Sequence, residues 1–284
     1  MTRSGPTAST AAPAPHRGRA GFLRERLSEP PLADARSRRN RVVIAMVMVV
    51  ASLVLFVRVW DWWTEREDLS RWDIPALTWL TEHRDPVLTG VLEVVTTLTA
   101  PTGMIIICAV TVAVWLLGSQ HWWRPVLLAG AMAVAVACIV GIKSVAGRGR
   151  PPVADMLMGA DLSYSFPSGH TLATSTFVLV LLYLVYFRPY AEHLLEATGA
   201  VTTTPHGPSA ARPPARWWVV AAGTAVIAVV AFSRLYLGYH WLTDVTASLL
   251  LAVAVLGLVV GVDAWRPTAR LTPVAPHPQQ ERPV

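Results

Sequence analysis

The chain has 284 residues, 53% of them hydrophobic and only 15% charged, with a mean hydropathy of +0.45. Soluble domains of ordinary composition carry about 25% charged residues, so a soluble globular domain is set aside. The formal charge is +6, with 9 arginines in the first 41 residues, but no zinc-finger spacing or aromatic–basic pattern accompanies them, which argues against a nucleic-acid partner.

Residues 1–41, rich in Pro, Ala, Ser, Thr and Arg, read as a basic and mostly disordered segment with a short helix around Phe22–Leu27. It is not a clean secretory leader: the first long apolar run begins only at Val42, and no small-residue cleavage site follows it. Val42–Val57 reads as the first membrane span. Arg38, Arg39 and Arg41 flank one end, and Trp60, Trp62 and Trp63 mark the other interface. Val87–Ala100 is apolar but contains Glu93, and is assigned to a non-spanning helix ahead of the second span, with a bent extension through Pro101 as the alternative.

Further apolar runs follow at Met104–Gly118, Val126–Ile142, Leu172–Phe187, Trp217–Phe232 and Val245–Val262. Each falls slightly short of the ~20 residues a helix needs to cross hydrocarbon, and borrows turns from neutral neighbours. The predicted fold is therefore all-α, a six-span transmembrane helical bundle over 42–262. Ala191–Arg216 reads as a flexible linker, and 263–284 as a disordered tail. Cys108 and Cys138 each lie in an apolar run, as small buried hydrophobes rather than a disulfide or metal ligands.

Six spans put both termini on one side. With the termini cytoplasmic, that side receives 16 arginines and 7 acidic residues, and the other receives 7 arginines, the single lysine Lys143 and 11 acidic residues. This is the asymmetry of the positive-inside rule, and it accounts for the pI of 9.9. The same topology gathers three charged islands at the extracytoplasmic helix ends: "KSVAGRGRPP" (143–152), "SYSFPSGHT" (163–171) and "SRLYLGYHWLTD" (233–244).

In the third island, His240 and Asp244 are four residues apart, on one face if the next span starts there as a helix. The carboxylate can then hold one ring nitrogen and leave the other free as a base or nucleophile. Arg234 adds a fixed fork of donors. In the second island, Pro167 stops an extended segment, and Ser168 and Gly169 start a helix with His170 in its first turn. The open N–H groups of such an end bind oxyanions. The first island offers Lys143, Arg148 and Arg150. Each island alone also reads as a helix cap or a solvated loop. Together they supply cations, an anion-binding helix start and two histidines, a set that fits phosphoryl transfer. No acidic dyad of a glycosidase and no serine nucleophile elbow is present.

The islands resemble the three signature motifs of the type 2 phosphatidic acid phosphatase superfamily. A lysine, six residues and Arg-Pro are matched by Lys143, Arg150 and Pro151. Pro-Ser-Gly-His is matched by Pro167–His170. Ser-Arg, five residues, His, three residues and Asp are matched by Ser233, Arg234, His240 and Asp244. The resemblance covers about residues 85 to 262. It implies that His240 is the phosphate-attacking nucleophile, oriented by Asp244, and that His170 is the general acid. It further implies that Lys143, Arg150 and Arg234 bind the phosphoryl oxygens, helped by Ser168 and the Gly169 amide. It implies no metal and no cofactor.

Arg148 lies outside the motif but two residues before Arg150. In an extended loop both would face one side, which makes it a candidate contact to a second phosphate. The expected activity is a membrane phosphatase acting on a lipid phosphate in the bilayer. Undecaprenyl pyrophosphate is slightly favoured as substrate, with phosphatidic acid or phosphatidylglycerol phosphate as the alternative. Soluble vanadate-dependent haloperoxidases share the superfamily, but six apolar spans argue against that branch. A transporter or scaffold is the other class weighed, and the absence of mid-span acids argues against it. Composition suggests a high-GC bacterium, and hence a plasma-membrane protein.

Overall fold

The computed structural model describes Leu27 and residues 35–119, 121–188 and 217–265. The short helix expected around Phe22–Leu27 (apart from Leu27), the 191–216 linker and residues 266–284 lie outside the described residues. The described fold is all-α. Its helices are α1 (Ala35–Glu65), α2 (Asp73–Glu82), α3 (Pro86–Leu98), α4 (Pro101–Gly118), α5 (Trp123–Ala146), α6 (Gly169–Leu182), α7 (Trp217–Tyr236) and α8 (Leu242–Trp265). A π turn, Tyr183–Phe187, prolongs α6.

Six of these helices are long and apolar enough to cross a membrane: α1 from Arg38, α4, α5, α6 with its π turn, α7 and α8. Their outer faces expose large apolar side chains such as Val47, Val54, Ile105, Val140 and Val229, which suits a lipid solvent rather than water. The helices begin and end beyond the apolar runs because neutral and capping residues extend them. α6 begins at Gly169 rather than Leu172, and α8 at Leu242 rather than Val245. Those added first turns carry His170 and Asp244.

Two expected boundaries need correction. Helix α1 starts before residue 42, at Ala35. At the other end, α8 runs past 262 to Trp265, and Asp263 is buried at 1% exposure rather than lying in a tail. Asp263 accepts from Trp123 Nε1, Tyr183 Oη and Arg188 Nε, each at 2.8 Å, and so ties the starts and ends of α5, α6 and α8 together. A buried carboxylate is tolerated where donors surround it in this way.

Helix α8 is the centre of the bundle and packs against α1, α5 and α6. One core cluster joins Met104, Leu128, Met132, Phe177, Val180, Leu184 and Val255. Helix α3 is a separate 13-residue helix, too short to span. Asp85 caps it, accepting from Leu88 N–H at 2.8 Å, and Pro86 opens it. Arg84 and Asp85 bind Tyr236 and Asp155, which lays α3 across the end of α7. Cys108 and Cys138 are free and partly buried.

Candidate active site

Four helix ends meet at one end of the bundle, and each is fixed by its own local chemistry. Helix α5 stops at Gly147, whose left-handed φ of 59° suits a residue without a β-carbon. Its N–H returns to the Lys143 carbonyl at 3.1 Å, which leaves Lys143 in the last turn. Lys143 Nζ donates to the Tyr164 carbonyl.

Helix α6 starts with extended Ser168 (φ −70°, ψ 113°) as its cap and Gly169 as its first residue. The Ser168 hydroxyl caps no N–H; instead it accepts from Thr171 Oγ1 at 3.1 Å. The N–H groups of the first turn therefore point out of the helix start without intrahelical partners. A β-carbon on Gly169 would meet only the Ile139 side chain, at 3.6 Å, so protein packing alone does not demand a glycine there. His170 is half-buried beside the Thr96 backbone, within electrostatic reach of Arg234 and Arg150.

Arg234 ends α7 at 4% exposure. It donates to Thr96 Oγ1, and its guanidinium lies 4.5 Å from the Tyr239 ring centroid. Its carbonyl accepts from the N–H groups of Tyr239 and His240, at 3.1 and 3.2 Å, which folds the chain back on itself. Gly238 makes that turn possible. Its φ is +81°, and a β-carbon there would fall 2.2 Å from the Asp155 carbonyl oxygen.

Asp244, fully buried, is in the first turn of α8 and accepts from the Trp241 N–H at 3.0 Å, the return half of a capping box. The same oxygen lies 3.2 Å from His240 Nδ1. The other ring nitrogen, Nε2, lies 3.2 Å from Arg150 Nη1. A guanidinium can only donate, so Nε2 is the acceptor and Nδ1 carries the proton toward Asp244. That tautomer leaves the Nε2 lone pair facing the cations. Burial, then the charges of Arg150, Arg234, Lys143 and His170, hold the His240 pKa well below the usual imidazole value.

Arg150 is positioned by Ser163, whose carbonyl and hydroxyl each accept at 2.9 Å, by the Tyr239 carbonyl at 2.8 Å and by Asp161 at 2.7 Å. Burial raises the Asp161 carboxyl, but hydrogen bonds from Ser163 and the charges of Arg150 and Lys143 outweigh it and leave its pKa lowered. The structure thus brings together Lys143, Arg150, Ser168, Gly169, His170, Arg234, His240 and Asp244.

Arg148 is arranged otherwise than expected. Its Nη1 donates to Asp244 Oδ1 at 2.5 Å and to Thr243 Oγ1 at 2.7 Å, and its Nη2 donates to Asp73 Oδ2 at 2.6 Å. The Trp63 and Trp241 rings lie 5.0 and 5.8 Å from its guanidinium. Freeing it would strand two buried carboxylates, at a cost of about 3–5 kcal/mol, against the roughly 1.5–3 kcal/mol of one charge-assisted bond to a phosphate. The second-phosphate expectation for Arg148 does not fit this geometry. Trp63 and Trp241 likewise do more than mark an interface. Trp63 and Trp60 also pack on buried Phe166, at centroid distances of 5.9 and 5.5 Å.

The residue pattern singles out none of Asp73, Thr96 and Asp161, and it includes Ser163 in the second island without giving it a role. Asp73 opens a helix in "RWDIPAL", an ordinary first-turn acid, and nothing in the sequence joins it to the islands. Among the described residues, no group of three or more His, Cys, Asp or Glu is placed to hold a metal ion.

The PAP2 superfamily model matches residues 124–267, just over half the chain and all three islands. The chain belongs to the PAP2 superfamily. It is a phosphatase of that superfamily by the same match. A solved PAP2 structure shares the fold: the crystal structure described as the first transmembrane PAP2-type phosphatidylglycerolphosphate phosphatase, from Bacillus subtilis. The TM-score is 0.60 at 20% sequence identity, covering 76% of this chain and 96% of that one. No curated protein matches.

Proposed function

We propose that this PAP2 protein is a membrane phosphatase that removes a terminal phosphate from a lipid phosphate through a phosphohistidine on His240. The observation that carries the reading is the buried imidazole, with Nδ1 on Asp244 and Nε2 turned toward Arg150. In the first step Nε2 attacks phosphorus and the bond to the lipid oxygen breaks. His170 gives its proton to that oxygen as it leaves. Lys143, Arg150, Arg234 and the open first-turn amides of α6 take up the charge on the non-bridging oxygens. In the second step His170, now a base, deprotonates water. The water oxygen attacks phosphorus, the N–P bond breaks and inorganic phosphate leaves. Asp244 holds the imidazolium-like ring through both steps. No metal is needed for this sequence.

A lipid phosphate monoester of the phosphatidic acid or phosphatidylglycerol phosphate class is the better substrate reading. The polyprenyl pyrophosphate expectation rests on the extracytoplasmic site and on Arg148, and Asp73 and Asp244 hold Arg148 by ion pairs of 2.6 and 2.5 Å. The solved structure of similar fold is described as a phosphatidylglycerolphosphate phosphatase. The arginine asymmetry supports a plasma-membrane protein with both termini cytoplasmic and the site on the outer face.

The test is phosphate release by purified protein in detergent with EDTA, on phosphatidic acid, phosphatidylglycerol phosphate and undecaprenyl pyrophosphate. The reading expects turnover of a monoester, with kcat/KM at least tenfold above that for the pyrophosphate. Preference for the pyrophosphate would overturn the substrate class. No release from any of the lipids would overturn the lipid-phosphate reading.

A further inference from the structure

Asp73 lies at the first turn of α2, outside the three islands and outside the residues matched by the family model. It is buried at 5% exposure and each of its oxygens has work. Oδ1 accepts the Thr243 N–H at 2.9 Å and so caps α8 from another helix. Oδ2 accepts Thr243 Oγ1 at 2.7 Å and Arg148 Nη2 at 2.6 Å. Arg148 then spans to Asp244 Oδ1, and Asp244 Oδ2 meets His240 Nδ1. An unbroken line of contacts runs from Asp73 through Arg148 and Asp244 to the ring.

We propose that Asp73 is a positioning residue for phosphoryl transfer, acting through Arg148 and Asp244 on His240. The inference rests on the phosphatase reading above. The physical reason is the division of one cation between two carboxylates. Asp244 aids the attack only while its charge is available to the imidazole, which gains positive character as Nε2 bonds to phosphorus. Arg148 facing Asp244 alone would neutralise that charge and draw the carboxylate away from the ring. Asp73 takes up half of the guanidinium, on its other nitrogen, and the Trp63 and Trp241 rings keep the guanidinium plane from turning out of the shared position. The helix cap on Thr243 N–H needs only a neutral oxygen. The second carboxylate on Arg148 is a matter of charge, so the two roles separate in the variant Asp73→Asn, which keeps the oxygen and loses the charge.

His240 is faced by Lys143 from α5, Arg150 from the loop, His170 from α6, Arg234 from α7 and Asp244 from α8. Only the last of these touches Arg148, so changes at Asp73 and Arg148 reach His240 through Asp244. The experiment has two arms. In the first, kcat and KM are measured on a short-chain phosphatidic acid in detergent. Asp73→Asn is expected to lower kcat about tenfold, the loss of one charge-assisted contact, with KM within about twofold. The double variant Asp73→Asn/Arg148→Gln is expected to be no slower than Arg148→Gln alone. A wild-type kcat in Asp73→Asn, or losses that multiply in the double variant, would overturn the proposal.

The second arm reads the linkage without turnover. In histidine-labelled protein in detergent, the ¹⁵N signals of His240 are assigned by their absence in His240→Gln and followed with pH. Arg148→Gln is expected to raise the His240 midpoint, because the cation opposing Asp244 is gone. Asp73→Asn is expected to lower it, because Arg148 then belongs to Asp244 alone. Shifts of the same sign, or no shift, would contradict the proposal. An inactive wild type would instead count against the phosphatase reading, with this arm still deciding the role of Asp73.

Discussion

His240 has 2% of its surface exposed and stands among Arg150, Arg234 and Lys143, so it stays neutral where an ordinary imidazole would protonate. Two consequences follow from that lowered pKa. As the attacking base it remains available through pH 6.5, so the acid limb of kcat/KM is expected to lie below the usual imidazole value of about 6.5. For stability, the unfolded chain takes up a proton below about pH 6.5 that the folded chain refuses. The stability due to this group is present above that pH and is lost as pH falls below it. The thermal midpoint in detergent should therefore drop more steeply below pH 6.5 in wild type than in His240→Gln. Lys143 gives a second prediction at this scale. It is the single lysine beside 23 arginines, and its compact ammonium donates to the Tyr164 carbonyl from the last turn of α5. A planar guanidinium has a different reach and fork. Lys143→Arg is expected to lower kcat/KM about tenfold, the scale of one charge-assisted hydrogen bond. A wild-type value would mean that charge alone matters at this position.

The site depends on how helix ends are stopped and started, and that is where elements can be tested. Gly238 permits the reversal between α7 and α8, and a β-carbon there would stand 2.2 Å from the Asp155 carbonyl oxygen. Gly238→Ala is expected to cost at least about 2 kcal/mol, the strain of a left-handed residue plus a backbone clash. A thermal midpoint and an active fraction equal to wild type would contradict that role. Helix α3 holds Arg234 by Thr96 Oγ1, across 138 residues of sequence. Thr96→Val removes that acceptor at nearly constant volume. It is expected to raise KM roughly tenfold, the scale of one hydrogen bond to a charged group, and to lower the thermal midpoint, because a buried guanidinium N–H is left without its acceptor. At this scale the sequence was legible where spacing is local. The four-residue step from His240 to Asp244 and the Pro-Ser-Gly-His start of α6 both report geometry within one turn. Apolar runs located the spans but not their ends, because the terminal turns that carry His170 and Asp244 are polar.

Across the whole molecule, six spans and one gathered end were readable from hydropathy and from the three islands. The network behind the islands was not. Asp73 meets Arg148 across 75 residues and Thr243 across 170, and no local pattern encodes contacts of that separation. Arg148 departs from expectation for a related reason: its proximity to Arg150 in sequence suggests a shared ligand, whereas burial between two carboxylates decides its partners. The same gap applies to Asp263, a polar residue near the end of an apolar run that serves as a buried tie. Topology is tested with single cysteines introduced between 191 and 216 in a Cys108/Cys138-free background. The arginine asymmetry predicts that a membrane-impermeant reagent fails to label them in intact cells, and labelling would invert the orientation. A covalent phosphohistidine on His240 is detected by rapid acid-free quench of enzyme mixed with lipid carrying a labelled terminal phosphate. An acid-labile, base-stable phosphoprotein is expected within the first turnover in wild type, and none in His240→Ala. The same adduct in His240→Ala, or turnover in wild type without any adduct, would contradict it.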